Sequence, residues 1–121
     1  MRNILLVEDD PFLIEIYTAK FKEAGFSVKV AASGDMVLGR MKEVNPDLVL
    51  LDIVLPNVDG WEVLRAIKNN AQFKNTMVVI LSNLSEKEDV EKGMKFGVTR
   101  YLIKSHYTPS EVVEEIKKIL K

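Results

Sequence analysis

The stretch Pro46-Asp47-Leu48-Val49-Leu50-Leu51-Asp52-Ile53-Val54-Leu55-Pro56-Asn57-Val58-Asp59-Gly60 decides the fold. Leu48–Leu51 is apolar at every position, is too short for a helix, and stops abruptly at one acid followed by turn residues. An unbroken apolar run of this length is what a parallel strand covered on both faces requires. Working outward, four more short β-branched or apolar runs occur at Ile4–Val7, Val28–Ala31, Val78–Leu81 and Tyr101–Ile103. Between them lie segments with apolar residues three or four apart. The first carries Leu13, Ile16/Tyr17, Phe21 and Ala24, and the last carries Val112/Val113, Ile116 and Ile119/Leu120. Strict alternation at roughly 20–25 residues per unit predicts an α/β fold, (βα)5, with a doubly wound parallel five-stranded sheet.

Helix punctuation supports this division. Asp10-Pro11 reads as an N-cap followed by proline at the first helical position, and Ala24-Gly25 as a stop. Ser85-x-x-Glu88 and Thr108-Pro109-Ser110-Glu111 both read as capping boxes. The last helix places Glu111, Glu114 and Glu115 early and Lys117, Lys118 and Lys121 late, which complements its dipole.

Composition narrows the chemistry. A chain of 121 residues is read as one domain, residues 1–121, able to bury about two-thirds of the unfolded surface. Seventeen Lys plus Arg against 18 Asp plus Glu give a formal charge of −1, which argues against direct nucleic-acid binding. Absence of cysteine excludes disulfides, thiolate metal sites and catalytic thiols, and one histidine excludes a multi-histidine metal site. No apolar run approaches a membrane span, so a cytoplasmic location is expected.

Ligands of such sheets bind beyond the carboxyl ends of the strands, near the point where strand order reverses. The first strand delivers Glu8, Asp9 and Asp10 there, the third Asp52, the fourth Ser82 and Asn83, and the fifth Lys104. Two carboxylates about 5 Å apart repel by on the order of 3 kcal/mol at an effective dielectric near 20. Glu8, Asp9 and Asp52 together therefore call for a cation, a lysine or a raised pKa. Oxygen donors suit a hard ion such as Mg²⁺. A metal joining a carboxylate to an incoming phosphoryl group, with lysine and hydroxyl donors opposite, is a phosphoryl-transfer arrangement. Asp52, alone at a central strand end, is its natural nucleophile. Singly these residues have ordinary explanations: Asp10 caps a helix, Glu8-Asp9 forms a turn, Lys104 is a solvated lysine and Ser82 ends a strand. Their joint placement carries the signal.

Ile4-Leu5-Leu6-Val7-Glu8-Asp9-Asp10-Pro11, the stretch from Pro46 to Gly60, Val79-Ile80-Leu81-Ser82 and Tyr101-Leu102-Ile103-Lys104 together resemble a response-regulator receiver domain of two-component signalling. The resemblance spans essentially the whole chain and is of the chemotaxis-receiver, single-domain kind. It implies a flavodoxin-like strand order 2-1-3-4-5, with Asp52 as phospho-acceptor. It also implies Mg²⁺ (or Mn²⁺) bound by Glu8, Asp9, Asp52 and the backbone carbonyl of Val54. Lys104 would contact a phosphoryl oxygen, Ser82 would be the switch hydroxyl and Tyr101 the switch aromatic. The implied donor is a sensor histidine kinase or histidine phosphotransfer protein, carrying phosphohistidine. Phosphorylation would reshape the face formed by the fourth helix, fifth strand and fifth helix for an output protein. The chain would be a monomer or a weak dimer on that face. With no further segment after Lys121, output is expected through protein contacts.

Two departures from the family pattern matter. Ser105 follows Lys104 where proline is common, so a trans peptide is expected there. Val54 and Leu84, two residues beyond the acceptor and the switch hydroxyl, are apolar and cannot orient water, so slow self-dephosphorylation is expected. An enzymatic reading, a Mg²⁺-dependent phosphatase or phosphotransferase with an aspartyl-phosphate intermediate, needs a second Asp two residues after the nucleophile, where Val54 stands. No turnover of an external substrate is expected. A receiver-like module that has abandoned phosphorylation would not need the complete acid, hydroxyl and lysine set. His106 reads as a loop histidine, and Met36, Met41, Met77 and Met94 as core filler. Trp61 is expected to pack or lie partly exposed beside the acidic loop.

Overall fold

The computed structural model describes residues 2–120. Lys121, counted above among the late basic residues of the last helix, lies outside the described residues. The five strands are β1 (Asn3–Val7), β2 (Ser27–Ala31), β3 (Leu48–Leu51), β4 (Met77–Ser82) and β5 (Arg100–Ile103). They alternate with α1 (Pro11–Glu23), α2 (Val37–Val44), α3 (Gly60–Asn69), α4 (Lys87–Lys95) and α5 (Pro109–Ile119). Two 3₁₀ turns, Gly34–Met36 and Lys104–His106, sit ahead of α2 and after β5. All strand pairs are parallel, in the order β2-β1-β3-β4-β5.

Side-chain alternation along the strands splits the core in two. Leu5 and Val7 of β1 and Val49 and Leu51 of β3 point into one cluster with Val37, Met41, Leu64 and Ile67 of α2 and α3. Ile4, Leu6, Leu48 and Leu50 point into the other, with Tyr17 and Phe21 of α1 and Val112, Val113 and Ile116 of α5. The central strands are therefore apolar on both faces. The edge strands β2 and β5 keep exposed or half-buried positions.

Caps follow the sequence closely. Asp10 Oδ1 accepts from the N–H groups of Phe12 (2.9 Å) and Leu13 (3.4 Å). Helix α1 closes with Gly25 N–H on Lys22 O and Phe26 N–H on Phe21 O, the paired bonds of a Schellman stop. Thr108 and Glu111 form the reciprocal capping box of α5.

Other expectations need correction. Helix α4 is capped from Glu86, not Ser85, and no side chain caps it. Ser82 lies within β4, and its Oγ accepts from Leu84 N–H in a tight turn that delays the helix. Of the methionines taken as filler only Met41 is buried; Met36, Met77 and Met94 are exposed, at a 3₁₀ turn, a strand start and the outer face of α4. The Lys104–Ser105 peptide is trans, as are all peptides of the described residues.

Candidate functional site: an acidic crevice at the strand ends

The switch point of the sheet lies between β1 and β3, whose connections leave in opposite directions. Their register pairs Val7 with Leu51, so the next residues, Glu8 and Asp52, stand side by side. Asp52 N–H donates to Val7 O (3.1 Å), and Glu8 N–H to Ala31 O (3.2 Å), which fixes both backbones. Glu8 and Asp52 are 2% and 5% exposed, while Asp9 turns outward to solvent. Each of the three can bring a carboxylate oxygen within 4.8 Å of the others.

Lys104 enters from the edge strand. Two strand spacings, about 10 Å, separate β5 from β3, a gap that a lysine stem largely bridges. Its Nζ lies 2.5 Å from Asp52 Oδ2 and 2.6 Å from Glu8 Oε1. Asp52 Oδ1 accepts from Val54 N–H (3.0 Å), and Glu8 Oε2 from Asp10 N–H (3.2 Å). Burial pushes the Glu8 carboxyl above the usual range, outweighing the Lys104 hydrogen bond and charge. For Lys104 burial acts downward, but hydrogen bonds to Asp52 and Glu8 and their charges outweigh it and hold the ammonium above its ordinary value. With all four groups ionised, three carboxylates against one ammonium leave a formal −2. Both the charge and the all-oxygen donors fit a hard divalent cation.

The crevice above these groups measures about 330 Å³ and is lined by Asp9, Asp10, Leu13, Val54 and Asn83 as well as Glu8, Asp52 and Lys104. The Val54 side chain is 56% exposed at its lip. Ser82 is wholly buried at the end of β4. Tyr101 is half-buried, and its hydroxyl donates to Leu84 O at 2.6 Å. Burial raises its phenol to about 12, with the charges of Asp89 and Asp52 adding to the shift. Ser82 and Tyr101 therefore meet on one residue, Leu84, through its N–H and its carbonyl.

Of the residues that sequence reasoning singled out, Glu8, Asp9, Asp52, Lys104 and Val54 border this crevice, whereas Ser82 and Tyr101 do not line it. It missed the Leu84 backbone as the joint between Ser82 and Tyr101, because a backbone partner leaves no trace in residue type. It also treated Tyr17 only as core. This buried ring stands in the electrostatic field of Lys104, Glu8 and Asp52, and burial, first among causes, raises its phenol.

Fold and crevice together define a doubly wound α/β domain with a divalent-cation-type acidic cluster at its switch point. A profile of the response regulator receiver domain family matches residues 4–117, and the chain belongs to that family. The transcriptional regulatory protein BaeR of Escherichia coli is 34% identical over 119 residues, covering 98% of this chain and 48% of BaeR. The chain spans about half the length of the curated relatives it matches. Among solved structures, the BeF₃-activated N-terminal receiver domain of Klebsiella pneumoniae RstA superposes with a TM-score of 0.89 at 27% identity, covering 99% of both chains. The Mn²⁺-bound form of response regulator Rcp1 gives 0.86 at 28% identity, covering 99% of this chain and 94% of that one. This is a receiver domain of two-component signal transduction.

Proposed function

We propose that Asp52 accepts a phosphoryl group from the phosphohistidine of a sensor histidine kinase or histidine phosphotransfer protein. The observation that carries this reading is a buried carboxylate at a central strand end, with one oxygen on the Val54 N–H and the other on Lys104. Asp52 attacks phosphorus, an Oδ–P bond forms, and the P–N bond to the donor imidazole breaks, its electron pair returning to the ring. Glu8, Asp9, Asp52 and the Val54 carbonyl would hold Mg²⁺ (or Mn²⁺), which when bound supplies positive charge to the transferring oxygens. That a structural relative, Rcp1, has a Mn²⁺-bound form supports a divalent ion in this fold.

The chain's own residues then carry the signal. Lys104 exchanges its Asp52 oxygen for a phosphoryl oxygen and remains charge-paired. The Ser82 hydroxyl donates to the new acceptor oxygens. Through the Ser82–Leu84 turn and the Tyr101–Leu84 bond, this pull reaches β5 and the start of α4. The outcome is a shift in population between two arrangements of the α4–β5–α5 face.

That face is read as the site for an output protein or a weak self-association. No second carboxylate stands two residues after Asp52, so turnover of an outside substrate is not part of this reading. No helix among the described residues is long and apolar enough to cross a membrane, and the cytoplasm is the proposed compartment. Incubation with a small acyl-phosphate donor and Mg²⁺ tests the site. Labelling is expected on the wild type and not on Asp52→Asn, and equal labelling of the two would overturn the assignment.

A further inference from the structure

Trp61 lies in the first turn of α3, just behind the acceptor loop. Gly60, the residue before it, donates its N–H to Ile53 O at 3.1 Å, and a Cβ at Gly60 would stand 2.3 Å from that same oxygen. No side chain fits, so the first turn of α3 is locked to the residue that follows Asp52. The Trp61 ring is 8% exposed and stacks on Phe96, with centroids 6.1 Å apart and planes 18° from parallel. Lys92 Nζ stands 4.6 Å from the centre of the Trp61 ring, and the Arg65 guanidinium 5.9 Å from that of Phe96. Trp61 and Arg65 belong to α3; Lys92 and Phe96 are the last turn and C-cap of α4. Four side chains alternate as cation, ring, ring, cation across the two helices.

Helix α4 has little else to hold it. Its one buried residue is Gly93, where a Cβ would lie 2.9 Å from both Ile80 and Tyr101. One aromatic foothold of α4 is therefore Tyr101, reached from Ser82. The other is Trp61, reached from the Asp52 loop through Ile53 and Gly60.

We propose that Trp61 is a positioning residue that couples the state of the Asp52 loop to α4, in parallel with the Ser82–Tyr101 route. The inference rests on Asp52 being the phospho-acceptor. Charge added to Asp52 displaces the Ile53–Gly60 segment, the locked first turn of α3 follows, and the stacked rings pass the displacement to the end of α4. Neither Ser82 nor Tyr101 takes part in that chain of contacts.

Trp61 is the sole tryptophan, so tryptophan emission reports the surroundings of this one ring, and the Phe96 variants isolate the stacked contact. The full chain is titrated with beryllium fluoride and Mg²⁺ as phosphoryl mimic, while acyl-phosphate formation is followed separately by mass spectrometry. A step in Trp61 emission is expected in the wild type, and one of similar size, within twofold, in Ser82→Ala. Phe96→Leu is expected to retain acyl-phosphate formation while losing at least half the emission step and half the mimic-induced change in hydrogen exchange across residues 87–95. Phe96→Tyr, which keeps the stacked ring, restores both. Lys92→Met, at an exposed side chain, leaves the fold intact and alters the size of the step. An unchanged emission in a wild type that forms acyl-phosphate would overturn the coupling and leave the acceptor assignment standing. Loss of the step at saturating mimic in a Ser82→Ala protein that still forms acyl-phosphate would also overturn it, by showing that the signal travels through β4. Failure to form acyl-phosphate at all would bring down both.

Discussion

Lys104 is the residue on which the crevice turns. A single ammonium contacts two buried carboxylates, and so stands in for part of the positive charge that the acidic cluster requires. Its importance was legible only because Glu8, Asp9, Asp52 and Lys104 fall at the ends of different strands; none of the four is distinctive alone. The lifetime of the proposed acyl-phosphate is expected to depend on other residues. Val54 at the lip and the half-buried Leu84 offer no polar group to hold an attacking water. Decay of the phosphorylated chain after donor removal should take minutes rather than seconds, and Val54→Asn should shorten it several-fold. Tyr101 gives a pH signature. An ordinary tyrosine loses its proton near 10, whereas burial holds this one to about 12. Between those values the folded chain keeps a proton that the unfolded chain has lost, so stability falls as pH rises through that window. The phenolate difference spectrum between wild type and Tyr101→Phe should rise near 12, and the variant should show a shallower alkaline loss of stability. A Tyr101 signal rising near 10 would show that its phenol is not held away from water.

Elements were legible where local chemistry and tertiary demand agree. Helices α1 and α5 begin where Asp10-Pro11 and Thr108-Pro109 place them, because the side-chain cap and the proline act on the same residue. The start of α4 was misplaced because two local patterns compete for Ser85 and Leu84. The capping-box spacing favours Ser85, but Ser82 captures the Leu84 N–H in a turn, and the helix starts only after Glu86, whose backbone is extended. The exposed methionines were misread for a related reason: residue type reports affinity for a core, not the direction in which a turn or helix face points. Removing the α5 cap with Thr108→Ala should cost about 1 kcal/mol in urea unfolding without touching the crevice. Gly60→Ala should do more than its propensity suggests. The added carbon collides with Ile53 backbone, so it should lower both stability and the rate of Asp52 labelling, whereas an effect on neither would mean that the acceptor loop tolerates displacement.

At the scale of the whole molecule, the nearly neutral charge conceals a local surplus of negative charge at the carboxyl ends of the central strands. A cation bound there stabilises the folded state by mass action. At ten times its dissociation constant, Mg²⁺ should add about 1.4 kcal/mol, visible as a rise in melting temperature. The increment should shrink sharply in Asp9→Asn, and an equal rise in both proteins would place the ion elsewhere. The class of fold and the location of the site were readable from the strand runs and what terminates them. The α3–α4 contact was not, since Trp61 and Phe96 lie far apart in sequence and nothing local pairs them. The division of the core has a different kind of consequence. The sheet acts as a partition wall: α1 and α5 are furnished from one set of strand positions, α2 and α3 from the alternating set. Each side can be redecorated without disturbing the other. Exchanging the core-facing residues of α1 for those of a relative as a block, with the matching alternate strand residues, should yield a folded hybrid whose α2–α3 side keeps its packing, read as unchanged hydrogen exchange across α2 and α3.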